Sequence, residues 1–391
     1  MRKAHQSIPG KRILAFAPGV TGSSVFGSSI RSRYLLNGLG GFGYHVKAFE
    51  RDFFPRFAIR NALRNGDSSV FLGPRSFPGS VARADTFFFE GVPTTALGEA
   101  LFHWARQSGR ITILDFHDDP VGMAEALIGR PLGRRGKVAA KRDSLVANSD
   151  FVTFPSKSLR AECTRTSSLR ANHSAVVENA SDPDHFKVMP APSQPIVGMI
   201  SGSAPGKGAE TLIEACGLVK RDFPSLKLRI AAQSVSGLER SRDATIAGPS
   251  HQDRDWIEIR RDIGYREAPS FLAGCSMTVV PLPNEAYFHM ALPIKLFDSM
   301  AASRPVIVSN CLEMANVVRN ERCGLEYNFS PEELADRIRT LSGNPRLSVE
   351  LGENGRRAVE DKYNWNAMCR KMVEAIRSVS ELASSSGAVL S

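Results

Sequence analysis

Residues 291–309, ALPIKLFDSMAASRPVIVS, place the tightest limit on what this chain can fold into. Pro293 suits the first position of a helix, where its missing N–H costs nothing. Leu296, Phe297, Met300 and Ala301 then recur at helical spacing, and Arg304-Pro305 ends the run. Val306-Ile307-Val308 follows as a short apolar stretch, the pattern of a strand covered on both faces. Such strands belong to parallel sheets with helices on either side, so the predicted fold class is α/β. The alternation recurs along the chain. Strands are predicted at 11–18, 44–50, 86–90 and 111–116, then at 196–200, 226–232, 256–263 and 276–282, with helices between them.

A chain of 391 residues is long for one core and suits two domains. The segment 187–194 reads as a linker. Domains are therefore predicted at 1–190 and 191–364, with a closing helix from 365 placed to cross back and a tail to 391. Apolar residues make up 42% and charged residues 23%, which excludes wholesale disorder. No apolar run approaches the roughly 20 residues that a bilayer crossing needs. The basic N-terminus lacks the apolar core of a signal peptide, so a cytoplasmic location is expected. Six scattered cysteines without a C-x-x-C pair point to reduced thiols, not to a disulfide framework or a zinc site. Charge is uneven: residues 1–180 carry 25 Lys/Arg against 14 Asp/Glu, and the rest carries 25 against 26. Two readings fit the basic half, a solvated face without a partner or a surface for an anionic membrane or lipid diphosphate. No basic stripe interleaved with aromatics is visible, so nucleic acid is not expected as a partner.

Ligands of open α/β sheets sit beyond the carboxyl ends of strands. The glycine loop at 19–24, containing Gly22, follows the first strand. It is either a tight turn or a place where backbone amides approach an anion. Glu90 ends the strand at 86–90, and His117-Asp118-Asp119-Pro120 ends the one at 111–116. His117 beside acids suits a base or a group orienting a hydroxyl, and Asp118 or Asp119 equally suits a helix N-cap. Gly202-Ser203-Ala204-Pro205-Gly206-Lys207-Gly208 lies between a strand and a helix. Backbone amides, helix dipole and a cation there make a phosphate site. It is not a P-loop, because Gly208 stands where Ser or Thr must hold magnesium. Lys295 and Asp298 share one helix face. They suit either a phosphate and a ribose or an ordinary surface ion pair. Gly38–Gly43 matches G-x-G-x-x-G but follows a helix and precedes a strand, so it reads as a helix cap and turn.

Pro293-Ile294-Lys295-Leu296-Phe297-Asp298, Met300-Ala301-Ala302 and Arg304-Pro305-Val306-Ile307 resemble the nucleotide-sugar signature of GT-B glycosyltransferases. The likeness is to the retaining family four (glycosyltransferase group 1) and the related xanthan-type glucuronosyltransferases. Lys207-Gly208 is similar to the family's diphosphate element. Asn179, Asp182 and Phe186 match its N-G-V-D…F element. The resemblance implies two Rossmann-like parallel-sheet domains facing across a cleft. It implies glycosyl transfer from a UDP- or GDP-linked sugar to a glycan, lipid-linked or small-molecule acceptor. No metal or other cofactor is implied, and no paired-His cluster is seen. Donor contacts would fall on Gly202, Ser203, Lys207, Gly208, Glu285, Pro293, Ile294, Lys295 and Asp298, with Asp298, more often Glu, on the ribose. His117 and Asp118 would be catalytic, and Gly22 and Glu90 would face the acceptor. The chain departs from the pattern at three places. Ser303 replaces the usual Gly, and Asn316 stands where Glu often precedes Val-Val. Met290 occupies the first position of the usual E-x7-E pair, and the nearest acid, Glu285, comes five residues early. A nucleotide-sugar 2-epimerase of the same fold, or a nucleotide-sugar-binding protein without catalysis, are the alternative readings. The enzyme is expected in the cytoplasm, docked peripherally on the inner face of a membrane by its basic half.

Overall fold

A computed structural model describes residues 12–17, 27–49, 77–92, 96–128, 130, 135–203, 206–235, 237–246, 255–261 and 263–387. The loop carrying Gly22 lies outside the described residues. The chain divides into two compact units, Met1–Asp119 with Arg134–Glu178 and Trp365–Ser391, and Pro120–Gly133 with Asn179–Asn364.

The first unit runs β1 (Arg12–Phe16), α1 (Gly27–Gly41), β2 (His45–Phe49), α2 (Phe77–Arg83), β3 (Thr86–Glu90), α3 (Ala96–Gln107) and β4 (Ile111–Asp115). After α4 (Pro120–Ile128), which groups with the second unit, come α5 (Arg135–Asn148), β5 (Phe151–Phe154), α6 (Lys157–Thr166) and β6 (Ser174–Val176). The described strands pair in parallel in the order β2-β1-β3-β4-β5-β6. A parallel sheet with helices on both faces buries both sides of its strands, and all five residues of β3, TFFFE, are buried. Phe16 stacks on Phe49, Phe87 and Phe89 across this sheet. Each such ring contributes roughly 2 kcal/mol by leaving water. The G-x-G-x-x-G match falls on the end of α1 and its turn, and Gly43 has φ +86°, the left-handed geometry of a helix terminus.

The second unit runs β7 (Ile196–Ser203), α7 (Ala209–Lys220), β8 (Lys227–Ser234), α8 (Leu238–Ile246), β9 (Ile257–Arg261), α9 (Ala268–Ala273) and β10 (Met277–Val280). Then come α10 (Ala286–Met290), α11 (Ile294–Ala301), β11 (Val306–Ser309), α12 (Leu312–Glu321), β12 (Gly324–Tyr327), α13 (Pro331–Gly343) and α14 (Pro345–Asp361). Its described strands are also parallel, in the order β12-β11-β10-β7-β8-β9. The stretch at 291–309 is a helix and a strand, and all four residues of β11 are buried. The segment after β10 folds into the short helix α10, against which α4 packs. The last helix, α15 (Trp365–Gly387), packs on α1 within the first unit, where Trp365 stacks on Tyr34 at 5.1 Å.

Among the described residues no helix is long and apolar enough to cross a membrane.

Candidate functional site

In the second unit the site grows from the carboxyl ends of β7 and β10. β7 carries Gly202 and Ser203 at its end, and a turn of Gly206, Lys207 and Gly208 leads into α7. Gly208 sits at the N-cap of α7 with φ +82°. A Cβ there would come within 1.7 Å of the Pro281 carbonyl oxygen. Only glycine accepts both that conformation and that approach. The bare turn seats α7 against the end of β10, and Ala209 behind it is fully buried. The first-turn amides of α7 point out of the helix toward this end of the sheet.

Lys295 lies on the first turn of α11 and donates to Ser201 Oγ at 3.2 Å. Burial, and then the charge of Lys207, push its ammonium down to about 7. Lys295 and Lys207 thus lie on elements that follow the same strand end, near enough for the one charge to act on the other. Asp298 sits one turn on and is 7% exposed. Its Oδ1 accepts from Ser181 Oγ at 2.6 Å and from Tyr265 OH at 3.3 Å. Burial raises its carboxyl to about 7; the two hydrogen bonds oppose that rise and Asp182 adds to it. The surface ion pair between Lys295 and Asp298 is therefore not what forms, since each side chain is turned to its own partner.

The other predicted donor residues are less central. Pro293 is the N-cap of α11, its carbonyl accepting from the Leu296 amide at 3.1 Å, and Ile294 is buried. Glu285 is exposed at the N-cap of α10, whereas Met290 ends that helix partly buried. Five residues of helix separate the two by about 7 Å along the axis, so Glu285 does not stand in for Met290.

In the first unit, β3 and β4 place Glu90 opposite Asp115 in register. Asp115 is fully buried and takes two 2.8 Å hydrogen bonds from the Arg31 guanidinium and one of 2.7 Å from Thr153 Oγ1. Burial works to raise its carboxyl, but Arg31 overrides it, with help from His117 and Thr153, and the net shift is downward. His117 Nδ1 lies 3.3 Å from the Asp115 carbonyl, and Nε2 lies 3.8 Å from Glu90 Oε1. His117 and Glu90 thus meet at one strand end. Asp118 is partly buried beside them in the chain. Asp119, directly before α4, is held by Arg142 at 2.9 Å. Among the described residues no group of three or more His, Cys, Asp or Glu is arranged to hold a metal ion.

Five supporting residues lie outside the motifs legible in the sequence. Asp115 is a lone acid in an apolar strand, a visible signal, but nothing in the spacing identifies Arg31 as its partner. Ser181 departs from the family's N-G-V-D element, and that departure was the available signal. Tyr265 and Ser201 carry no local mark.

Residues 194–344 match the family described as Glycosyl transferases group 1. Among curated proteins the chain is 32% identical over 127 residues to the uncharacterized glycosyltransferase MJ1178 of Methanocaldococcus jannaschii, covering 32% of this chain and 33% of that one. The aligned stretch is thus about a third of that relative. It is 22% identical over 300 residues to a GDP-mannose-dependent alpha-(1-6)-phosphatidylinositol monomannoside mannosyltransferase of Mycobacterium tuberculosis, covering 70% of this chain and 71% of that one. Among solved structures, sucrose-phosphate synthase from Thermosynechococcus elongatus superposes with a TM-score of 0.71 at 18% identity, over 95% of this chain and 100% of that one. Anabaena Alr3699/HepE in complex with UDP-glucose superposes with a TM-score of 0.68 at 13% identity, over 94% and 99%. At such identities the structural likeness speaks for the fold. The second unit thus carries a domain that matches the group 1 glycosyltransferases, and the two parallel-sheet units share the fold of these solved structures.

Proposed function

We propose that this chain transfers a glycosyl group from a nucleoside-diphosphate sugar to a hydroxyl of a glycan, lipid-linked or small-molecule acceptor. The observation that carries the reading is that Lys295, hydrogen-bonded to Ser201 at the end of β7, shares that strand end with the Gly206-Lys207-Gly208 turn that opens α7. A buried ammonium bonded only to a neutral hydroxyl, next to a second cation whose charge it feels, favours an anion at that place. A diphosphate supplies that charge, and the α7 amides add theirs. Asp298 accepts from the ribose. In the reaction the bond from sugar C1 to the diphosphate oxygen breaks, and a bond from C1 to the acceptor oxygen forms. The acceptor proton leaves to a base, and the nucleoside diphosphate departs with its charge held by the lysines, a role that does not call on a metal. His117 and Asp118 are the candidate base and orienting groups, and Glu90 supports His117. The relatives use GDP-mannose in one case and are seen with UDP-glucose in another, which makes UDP- and GDP-sugars the donors to test. The net charge of residues 1–180 suits an acceptor carried on an anionic membrane surface.

The test is incubation of the full chain with radiolabelled UDP- and GDP-sugars, with and without EDTA. Released nucleoside diphosphate supports transfer or hydrolysis. An isomerised donor means an epimerase, and tight binding with an unchanged donor means a binding protein, the outcome that Met290 favours.

A further inference from the structure

Asp298 is not an open carboxylate waiting for a ligand. Its Oδ1 is occupied by two hydroxyl donors from separate parts of the second unit, Ser181 just after the segment begins and Tyr265 before α9. Ser181 is itself held in place. Its amide donates to the Tyr363 carbonyl at 3.0 Å, and it forms a parallel bridge with Asn364. Two residues earlier, Asn179 Nδ2 donates to the Leu292 carbonyl at 2.8 Å, just before α11. Tyr265 is clamped as well, its ring stacked on His185 at 4.9 Å and edged by Phe186. The support for Asp298 is therefore rigid on both sides. A carboxylate held by one oxygen on fixed donors presents the other in a set direction, which is what bidentate recognition of vicinal hydroxyls requires.

We propose that Ser181 and Tyr265 are positioning residues for the donor: they orient Asp298 and keep it ionised for the ribose. The proposal rests on the donor-site reading above. The groups around this carboxylate are few. Asp182 works against its ionisation. Lys295 lies one turn before it on α11. His185 stands behind Tyr265, and Arg356 of α14 turns its guanidinium to the carbonyls of Phe186 and Ala301. The strands behind α11 offer apolar side chains with Thr278 and Ser309, none of them charged. With no cation bonded to Asp298, the two hydroxyls are what favours its charged form.

The test is calorimetric titration of the full chain with UDP from pH 5.5 to 9, comparing wild type with Ser181→Ala, Tyr265→Phe, Asp298→Asn and the double variant Ser181→Ala/Asp298→Asn. Melting temperatures check that each folds. The expected result is a three- to tenfold loss of UDP affinity at pH 7 in Ser181→Ala and a smaller loss in Tyr265→Phe. Both losses shrink as pH rises, because a carboxyl deprived of a donor ionises later. The double variant is expected to bind no worse than Asp298→Asn, the signature of residues acting through one group. Ser181→Ala and Tyr265→Phe profiles that superpose on wild type, with Asp298→Asn impaired, would overturn the positioning role and leave the donor site standing. Wild-type UDP affinity in Asp298→Asn would overturn both.

Discussion

Arg31 grips Asp115 through two parallel hydrogen bonds of 2.8 Å, with both side chains buried. Arg31 also donates to the Glu178 carbonyl at 3.0 Å, and Glu178 is paired with Lys371 at 2.6 Å. The end of β4, from which His117 projects, is thereby pinned to α1 and α15. A buried pair of this kind adds little over an apolar substitute, but removing one partner leaves the other charge stranded. Asp115→Asn is expected to lower the unfolding free energy by about 3–5 kcal/mol, read by urea denaturation. Because Asp115 is held below the ordinary carboxyl range, its contribution is full at neutral pH. It is lost only as pH falls through that lowered value.

Ser303 shows why the family prefers glycine at its position. It follows α11 with φ +57°, and its carbonyl lies against Gly352, where a Cβ would approach to 2.4 Å. A left-handed conformation costs a residue with a side chain roughly 1 kcal/mol. Ser303→Gly is expected to stabilise the protein by about 0.5–1 kcal/mol, and Gly352→Ala to destabilise it, both measured by thermal unfolding.

Much of the architecture is legible in the sequence because apolar runs flanked by glycine and proline mark buried strands, as at 86–90 and 306–308. The short α10 is not legible in the sequence, because five residues after a proline give too little periodicity, and its stability comes from packing with α4 and α12. The phosphate lysines were legible because each sits in a local strand–loop–helix or helix-start pattern. Arg31 with Asp115, and Ser181 and Tyr265 with Asp298, are contacts between residues 33 to 117 positions apart. No local pattern encodes such partners.

Gly208 is a site where fold and function share one constraint. Gly208→Ala is expected to shift the turn away from the Pro281 carbonyl, to destabilise the protein by more than about 2 kcal/mol and to reduce UDP affinity at least tenfold. Urea denaturation and calorimetry read the two effects separately.

Lys295 and Asp298 are pushed toward each other in titration, both to about 7. Folding makes each charge a burden. Lys295 sits below its ordinary value, so between about 7 and 10.5 the unfolded chain holds more protons and stability rises with pH. Asp298 sits above its ordinary value, so between 3.8 and about 7 the folded chain holds more protons and stability falls as pH rises. Asp298→Asn is expected to raise stability at pH 8 by about 1 kcal/mol while weakening donor binding, a trade common at functional sites. Differential scanning calorimetry at pH 5 and pH 8 checks it, with the gain confined to the higher pH.

Donor affinity is expected to peak near neutral pH, since charged Asp298 holds ribose best and charged Lys295 holds diphosphate best. The acid limb belongs to Asp298 if Asp298→Asn removes it. That comparison separates it from the titration of UDP's own terminal phosphate near pH 6.

The most direct measurement is UDP and GDP titration of the full chain by calorimetry at pH 7, in wild type, Lys207→Ala and Lys295→Met. The expected result is saturable binding of at least one nucleotide, weakened thirtyfold or more by either substitution, with Lys295→Met melting no lower than wild type. Unchanged nucleotide affinity in both folded variants would contradict the account, because the charge it assigns to the diphosphate would then be held elsewhere.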